Sequence, residues 1–250
     1  QEAYAKKFGN ATTPTVAPTQ APGPATARTP QAPTATPAPT VAPTAAPATA
    51  PTKREFKSIE NKKGYETLES DQDIWMIGSG STKYISEQYS KISPSSKMGQ
   101  FNIPLSNTSD FLGNFKKTIE KRKLTPPKVV CLIGIGWNTV NSNAQEASKT
   151  IEEYKETVDY FKKLGVKKII IPTIQANVLS PEKQKRAKEL NEALLADDSL
   201  KNYVLDLRPY GMNEDDGSMP VEYKRDDNKI HPTDEAYGKM AEKIKEKIEA

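Results

Sequence analysis

Residues 74–82, Ile-Trp-Met-Ile-Gly-Ser-Gly-Ser-Thr, decide the fold of this chain. The first four residues form a short apolar run, which is typical of a strand that is buried on both faces. Two glycines follow within three positions and favour a sharp turn at the end of that strand. Because Ser79 and Ser81 lie in this turn, the sequence presents two hydroxyl groups where a buried strand ends.

Apolar runs alternate with segments of helical periodicity over the rest of this region. Strands are predicted at 100–103, 129–133, 166–171 and 203–207, and helices at 111–123, 151–164, from 181 onward and at 233–249. This alternation is typical of βαβ crossovers. It predicts an α/β fold with a three-layer, doubly wound, mostly parallel sheet of the flavodoxin-like kind. Ligands in such folds bind beyond the carboxyl ends of the strands, so chemistry is expected in the loops that follow them.

The N-terminal part of the chain has a different composition. Residues 11–52 contain 11 of the 20 prolines and 12 threonines, with Arg28 as their only charge. Such a segment cannot bury enough apolar surface to offset the entropy of ordering it. We therefore predict a disordered Pro/Thr-rich stalk over 1–52, a lead-in segment over 53–70 and a single folded domain over 71–250.

Composition also limits the classes of function. The net charge is only +4 and no basic stripe is present, so nucleic acid is not an expected partner. No apolar run reaches 18 residues, and no membrane span is predicted in this chain. With one histidine and one cysteine there is no ligand cluster for a metal, and no cofactor is expected. Cys131 lies inside an apolar run, which favours a buried side chain over a nucleophile.

His231 is the only histidine in the chain. It stands in the sequence Asp226-Asp227-Asn228-Lys229-Ile230-His231-Pro232-Thr233, immediately before the last predicted helix. A lone histidine is most often an ordinary surface residue. Here, a loop position at a helix start and the acidic residues upstream favour a role as a base.

Four segments, in the same order and at similar spacing, resemble the sequence blocks of the SGNH (GDSL-type) hydrolases. Residues 74–82 resemble the first block, in which Gly-Asp-Ser-x-Thr presents a nucleophilic serine. Residues 102–107 lie at the place of the second block, and Gly136-Trp137-Asn138-Thr139 resembles the third, Gly-x-Asn-Asp. The segment that ends in His231-Pro232-Thr233 resembles the last block. The resemblance covers about 180 residues and implies the SGNH hydrolase fold.

The resemblance also implies roles for individual residues. A serine, Ser79 or Ser81, would attack an ester carbonyl, and His231 would take its proton. The acid that orients the histidine stands three residues before it in the family. That position is Asn228 here, with Asp227 as the neighbouring substitute. The resemblance implies that Asn138 and the backbone N–H at Asn107 stabilise the oxyanion.

The first block departs from the family pattern. Without gaps, Gly80 falls on the nucleophile position, Ser79 on the family's aspartate and Ser81 on the residue after the nucleophile. A one-residue bulge would bring either serine into place, and the other interpretation is a plain Gly/Ser turn between strand and helix. Thr139 replaces the acid of the third block. Asn107 replaces a glycine of the second block, which is tolerable because Asn adopts left-handed conformations more readily than other residues with a side chain, and the donor at this position is a backbone N–H.

Two functions follow from this pattern. The first is an extracellular or cell-surface serine esterase, for example a carbohydrate O-deacetylase acting on an acylated carbohydrate or a small ester. The second is a catalytically inactive SGNH-like domain that binds a glycan, such as cell-wall glycan, or a protein partner from the end of the stalk. Trp137 is the residue predicted to stack on a sugar, and packing beneath its loop is the alternative. We expect a monomer and a secreted, bacterial-like location.

Overall fold

A computed structural model describes residues 66–103, 107–142, 145–176, 180–226 and 230–250. The predicted Pro/Thr-rich stalk, Asp227 and Asn228 lie outside these residues. Within them, the chain alternates between strands and helices as the sequence predicts. The strands are β1 (Ile74–Gly78), β2 (Met98–Asn102), β3 (Val129–Ile133), β4 (Lys168–Pro172) and β5 (Val204–Leu205). The helices are α1 (Ser81–Ile92), α2 (Thr108–Arg122), α3 (Ile135–Ser142), α4 (Ala147–Lys163), α5 (Pro181–Ala196) and α6 (Asp234–Glu249).

The five strands form one parallel sheet in the order β2-β1-β3-β4-β5. The chain leaves β1 in one direction to form β2 and returns to the other side of β1 to form β3. This reversal is the topological switch point of a doubly wound fold, where the loops on either side diverge and leave a crevice. The predicted three-layer α/β fold is thus confirmed, and its switch point lies at the carboxyl ends of β1 and β3.

Side chains of the central strands point alternately to two hydrophobic layers. Trp75 and Ile77 belong to a layer shared with α2, α4 and α5. Ile74 and Met76 belong to the layer covered by α1 and α6. Cys131 is fully buried in this second layer, as predicted, and burial raises the pKa of its thiol. The sheet therefore carries helices on both faces.

The helix ends are set by local capping. Asn107 accepts a hydrogen bond from the backbone N–H of Asp110 at 2.8 Å and starts α2. Ser180 and Thr233 cap α5 and α6 in the same way. No helix among the described residues is long and apolar enough to cross a membrane.

Candidate active site

The turn after β1 is held against the end of β3 at a distance that only glycine permits. Gly78 has a φ of +154°, and a Cβ placed on it would lie 1.9 Å from the carbonyl oxygen of Ile133. The backbone N–H of Ser79 donates to the same carbonyl oxygen at 3.0 Å. Gly134 has a φ of +62°, and its Cβ would lie 2.6 Å from Ser79 Oγ. The switch point is thus a tightly packed junction with a fixed backbone.

Gly80 is the residue of this turn that faces the histidine. A Cβ built on Gly80 would lie 3.4 Å from His231 Cε1 and 3.7 Å from His231 Nε2. The backbone of Gly80 has φ −52° and ψ −34°, which any L-residue adopts. A hydroxyl one bond beyond such a Cβ can come within the about 2.6–3.2 Å of Nε2 that proton transfer needs. Position 80 is therefore where a serine would meet the base, and the chain has glycine there.

The two neighbouring serines are directed elsewhere. Ser79 is buried, with its Oγ against the backbone of Gly134. Ser81 is also buried, and its Oγ donates to Gln175 Oε1 at 2.8 Å. Among the described residues, neither serine hydroxyl is hydrogen bonded to His231. In this structure the turn places Gly80, rather than Ser79 or Ser81, next to the His231 ring.

His231 lies half-buried in the segment that leads into α6. Its Nδ1 is 2.9 Å from the hydroxyl of Tyr237, one turn into that helix. The ring also packs against Tyr84 of α1, with 4.7 Å between ring centroids. Burial lowers the pKa of His231 from its ordinary 6.5 to about 4, and the charge of Arg225 adds to the effect. The imidazole is therefore neutral at neutral pH, the form that can accept a proton.

Gln175 connects these groups from the carboxyl end of β4. Its Oε1 accepts hydrogen bonds from Ser81 Oγ and from the Tyr237 hydroxyl, the latter at 3.2 Å. Its Nε2 donates to the backbone carbonyl of Ile230 at 3.0 Å. The amide thus joins α1, β4 and α6 beside His231. The sequence predicted chemistry in the loop after β4 but singled out neither Gln175 nor Tyr237.

The residues predicted to stabilise an oxyanion lie on α2 and α3. Asn107 has an extended backbone, with φ −78° and ψ 170°, and its side chain accepts a hydrogen bond from the backbone N–H of Asp110. Asn138 is buried on α3. Thr139 Oγ1 lies 2.8 Å from both the backbone N and Oγ1 of Thr108, which links the two helices. Thr139 therefore acts as a structural bridge between them.

Trp137 lies on helix α3, whereas the sequence predicted a loop. Its ring is half-buried and packs against the core layer shared with α2, α4 and α5. It lines a small cavity of about 20 Å³ together with Ser81, Gly134, Thr173 and Gln175. Such a volume has room for about one water molecule. The indole Nε1 is buried and has no hydrogen-bond partner among the described residues. This arrangement favours a packing role for Trp137 over sugar stacking.

Within the described part of the site, His231 is present as a base, and neither Ser79 nor Ser81 is hydrogen bonded to it. No group of three His, Cys, Asp or Glu residues that would hold a metal ion occurs in the described part of the chain. The described residues thus supply a neutral imidazole that faces Gly80, a residue without a side chain, at the N-terminus of α1.

A doubly wound sheet that ends its first strand in this turn, with a histidine before its last helix, defines the SGNH (GDSL-type) hydrolase fold, and the chain has that fold. It is similar to the solved structure of a GDSL-like lipase from Bacteroides thetaiotaomicron, at 17% identity and a TM-score of 0.55, over 70% of this chain and 87% of that one. A putative acylhydrolase from Bacteroides fragilis matches at 17% identity and a TM-score of 0.56, over 78% and 91% of the two chains.

An acetyl xylan esterase also shares the fold, at 15% identity and a TM-score of 0.50, over 69% of this chain and 98% of that one. No protein-family model matches the sequence, and the comparison with curated proteins finds no match either.

Proposed function

We propose that this domain is a non-hydrolytic SGNH-fold protein that binds an ester, with an acetylated carbohydrate as the ligand class, beside position 80 and His231 at the carboxyl end of the sheet. The observation that carries the proposal is the position of Gly80, whose Cβ direction leads to His231 Nε2 at 3.7 Å. A covalent acyl-enzyme needs a hydroxyl within reach of that nitrogen, and glycine has none. The site keeps its binding surfaces and its base but lacks the atom that would be acylated.

The choice of ligand follows from the remaining chemistry. The N-terminus of α1 directs backbone N–H groups toward the space in front of Gly80, and such groups bind carbonyl oxygens and anions. His231 lies across that space and carries no charge at neutral pH. An ester carbonyl on a hydroxyl-rich sugar matches both the backbone N–H groups of α1 and the neutral imidazole of His231. One solved structure with this fold is described as an acetyl xylan esterase, which supports an acetylated carbohydrate as the class to test first.

The first experiment measures ligand binding and ester hydrolysis in the same sample. Because the chain has one histidine, the ring signals of His231 are assigned without ambiguity by NMR. Acetylated xylo-oligosaccharide is titrated into the protein while the methyl signal of free acetate is followed. We expect saturable shifts of the His231 ring and no acetate release above the protein-free rate. The chemically deacetylated oligosaccharide is the matched control and should shift the ring less.

Each contrary result has a distinct meaning. If the ring signals do not move at millimolar ligand, the acetylated-carbohydrate proposal is wrong. If the signals move and acetate is released in multiple turnovers, the domain is a hydrolase and the non-hydrolytic proposal is wrong.

A serine esterase that uses Ser81 is the second candidate. One observation favours it: Ser81 Oγ shares Gln175 Oε1 with Tyr237, whose hydroxyl contacts His231. This path reaches Nδ1 of the imidazole, whereas the open side of the ring is Nε2. Ser81 would therefore have to leave Gln175 and cross to the other face of the turn before attack. Acetate release that disappears in Ser81→Ala would establish this candidate.

We also propose that the domain acts outside the cell, at the end of the Pro/Thr-rich segment 1–52. The composition of that segment supports the proposal, because proline-rich spacers are extended and hold domains away from surfaces. Antibodies raised against residues 1–52 should label intact source cells. Labelling that requires permeabilised cells would contradict an extracellular location.

A further inference from the structure

The hydrogen bonds around Gln175 determine which nitrogen of His231 carries the proton. The amide Nε2 faces the carbonyl oxygen of Ile230 at 3.0 Å. A carbonyl can only accept, so the atom facing it must be the NH₂ group, and this fixes the orientation of the amide. Gln175 Oε1 then faces the hydroxyls of Ser81 and Tyr237, and both must donate to it.

Tyr237 has a single hydroxyl proton, which it gives to Gln175. Its oxygen also lies 2.9 Å from His231 Nδ1. With its proton committed, the tyrosine accepts there, which favours a proton on Nδ1; the Gln175 Nε2 donor also faces Nδ1, but at 3.5 Å it is the longer of the two contacts. The opposite arrangement, with Tyr237 donating to Nδ1, would leave two acceptor oxygens 3.2 Å apart with no proton between them. That arrangement is unfavourable inside a buried network.

We infer that Tyr237, oriented by Gln175, is a positioning residue that holds His231 in the Nδ1–H tautomer, so that the Nε2 lone pair lies on the ring edge that faces position 80. In serine hydrolases this task belongs to a carboxylate. Among the described residues, a neutral tyrosine and a neutral amide perform it. The inference rests on the same site as the proposed function, but it concerns the histidine alone and holds whether or not a ligand binds.

The ring stacking supports the same role. Tyr237 is stacked on Tyr84 at 5.1 Å between centroids with an interplanar angle of 7°, and Tyr84 in turn packs on His231. Tyr237 is fully buried, so its hydroxyl has a fixed direction. The imidazole is thus held through its Nδ1 edge and one face, and its Cε1–Nε2 edge faces Gly80.

The test is the tautomer of the only histidine, read by ¹⁵N NMR of the full chain at neutral pH. We expect the Nδ1–H form to predominate in the wild type. In Tyr237→Phe the acceptor is lost, and among the described residues the other polar side chain near Nδ1 is Gln175 Nε2 at 3.5 Å, a donor. The population should then move to Nε2–H. Gln175→Met should produce the same change, because the Tyr237 proton would turn to Nδ1.

Tyr84→Phe is the matched control. It keeps the ring stack and leaves the Tyr237 hydroxyl in place, so the tautomer should stay as in the wild type. A wild-type spectrum that shows mainly Nε2–H would overturn the inference without any variant. An unchanged Nδ1–H population in folded Tyr237→Phe would overturn it as well. Neither result bears on the ligand titration, so a failure here is distinguishable from a failure of the proposed function.

Discussion

The β1 side and the α6 side of the site differ in the chemical groups that they contain. On the β1 side, the backbone turn is held by contacts with β3, yet the side chain that faces the base is missing at Gly80. On the α6 side, His231 is held by Tyr237 and indirectly by Gln175, and its Cε1–Nε2 edge faces Gly80. The β1 side thus has a fixed backbone turn but no nucleophilic side chain at position 80. The α6 side has a base, His231, that is held by its own hydrogen bond to Tyr237. The comparison teaches that neither the fold of the turn nor the support of His231 depends on a side chain at position 80.

The largest expected effect comes from adding a hydroxyl at position 80, on the β1 side of the site. Gly80 has a helical backbone and room for a Cβ, so Gly80→Ser should fold without strain. We expect hydrolysis of p-nitrophenyl acetate to rise by about 10²-fold or more over the wild type, the scale of general-base assistance. Gly80→Ala is the control, because it adds the same Cβ without the hydroxyl, and it should match the wild type.

Gly80→Ser/His231→Ala should lose the gained activity. A gain that survives removal of the histidine would mean that the new hydroxyl does not use this base, and the comparison of the two sides would fail.

The next largest effect is expected on the free energy of unfolding, at Gly78, where β1 passes into the turn. Gly78→Ala places a Cβ 1.9 Å from a backbone oxygen at a φ of +154°. We expect a loss of more than about 3 kcal/mol in the free energy of unfolding. Gly238→Ala, in α6 with nothing within 4 Å of its Cβ, is the matched control and should gain about 0.5–1 kcal/mol. Urea unfolding of both variants measures this. Equal effects would show that the turn is not tightly packed.

The smallest effect concerns the buried base. Because the pKa of His231 is lowered from 6.5 to about 4, the unfolded chain binds more protons than the native state between these values. The free energy of unfolding should therefore fall as the pH drops from 6.5 to 4, and His231 should contribute no pH dependence above 6.5. Urea unfolding across this range should show a weaker decline in His231→Gln. Parallel declines would indicate an ordinary, solvated histidine.

The fold could be predicted because it depends on local patterns. Continuous apolar runs predicted β1 and β3, and the spacing of residues 151–164 predicted α4, since both patterns express burial directly. Predictions were less accurate where distant contacts decide the structure. The segment 136–139 was expected to be a loop, but it is part of α3. The Tyr154 hydroxyl of α4 accepts the backbone N–H of Gly136 at 3.1 Å there, a contact that no local pattern reveals.

The residues of the site also differ in whether the sequence could predict them. His231 could be predicted because it is unique in the sequence and precedes a helix. Gln175 and Tyr237 could not, because their roles arise only when β4 and α6 come together. The ungapped alignment placed Gly80 at the nucleophile position, but only the distance to His231 Nε2 distinguishes this from a bulge that would present Ser79 or Ser81.

The central claim is that position 80 is the nucleophile position and that the natural chain has no nucleophile there. The most direct test treats the wild type, Gly80→Ser and Gly80→Ser/His231→Ala with a fluorophosphonate probe and maps the adduct by mass spectrometry. We predict an adduct only in Gly80→Ser, on position 80. An adduct on Ser79 or Ser81 of the wild type that disappears in His231→Ala would contradict the claim and establish a working serine hydrolase.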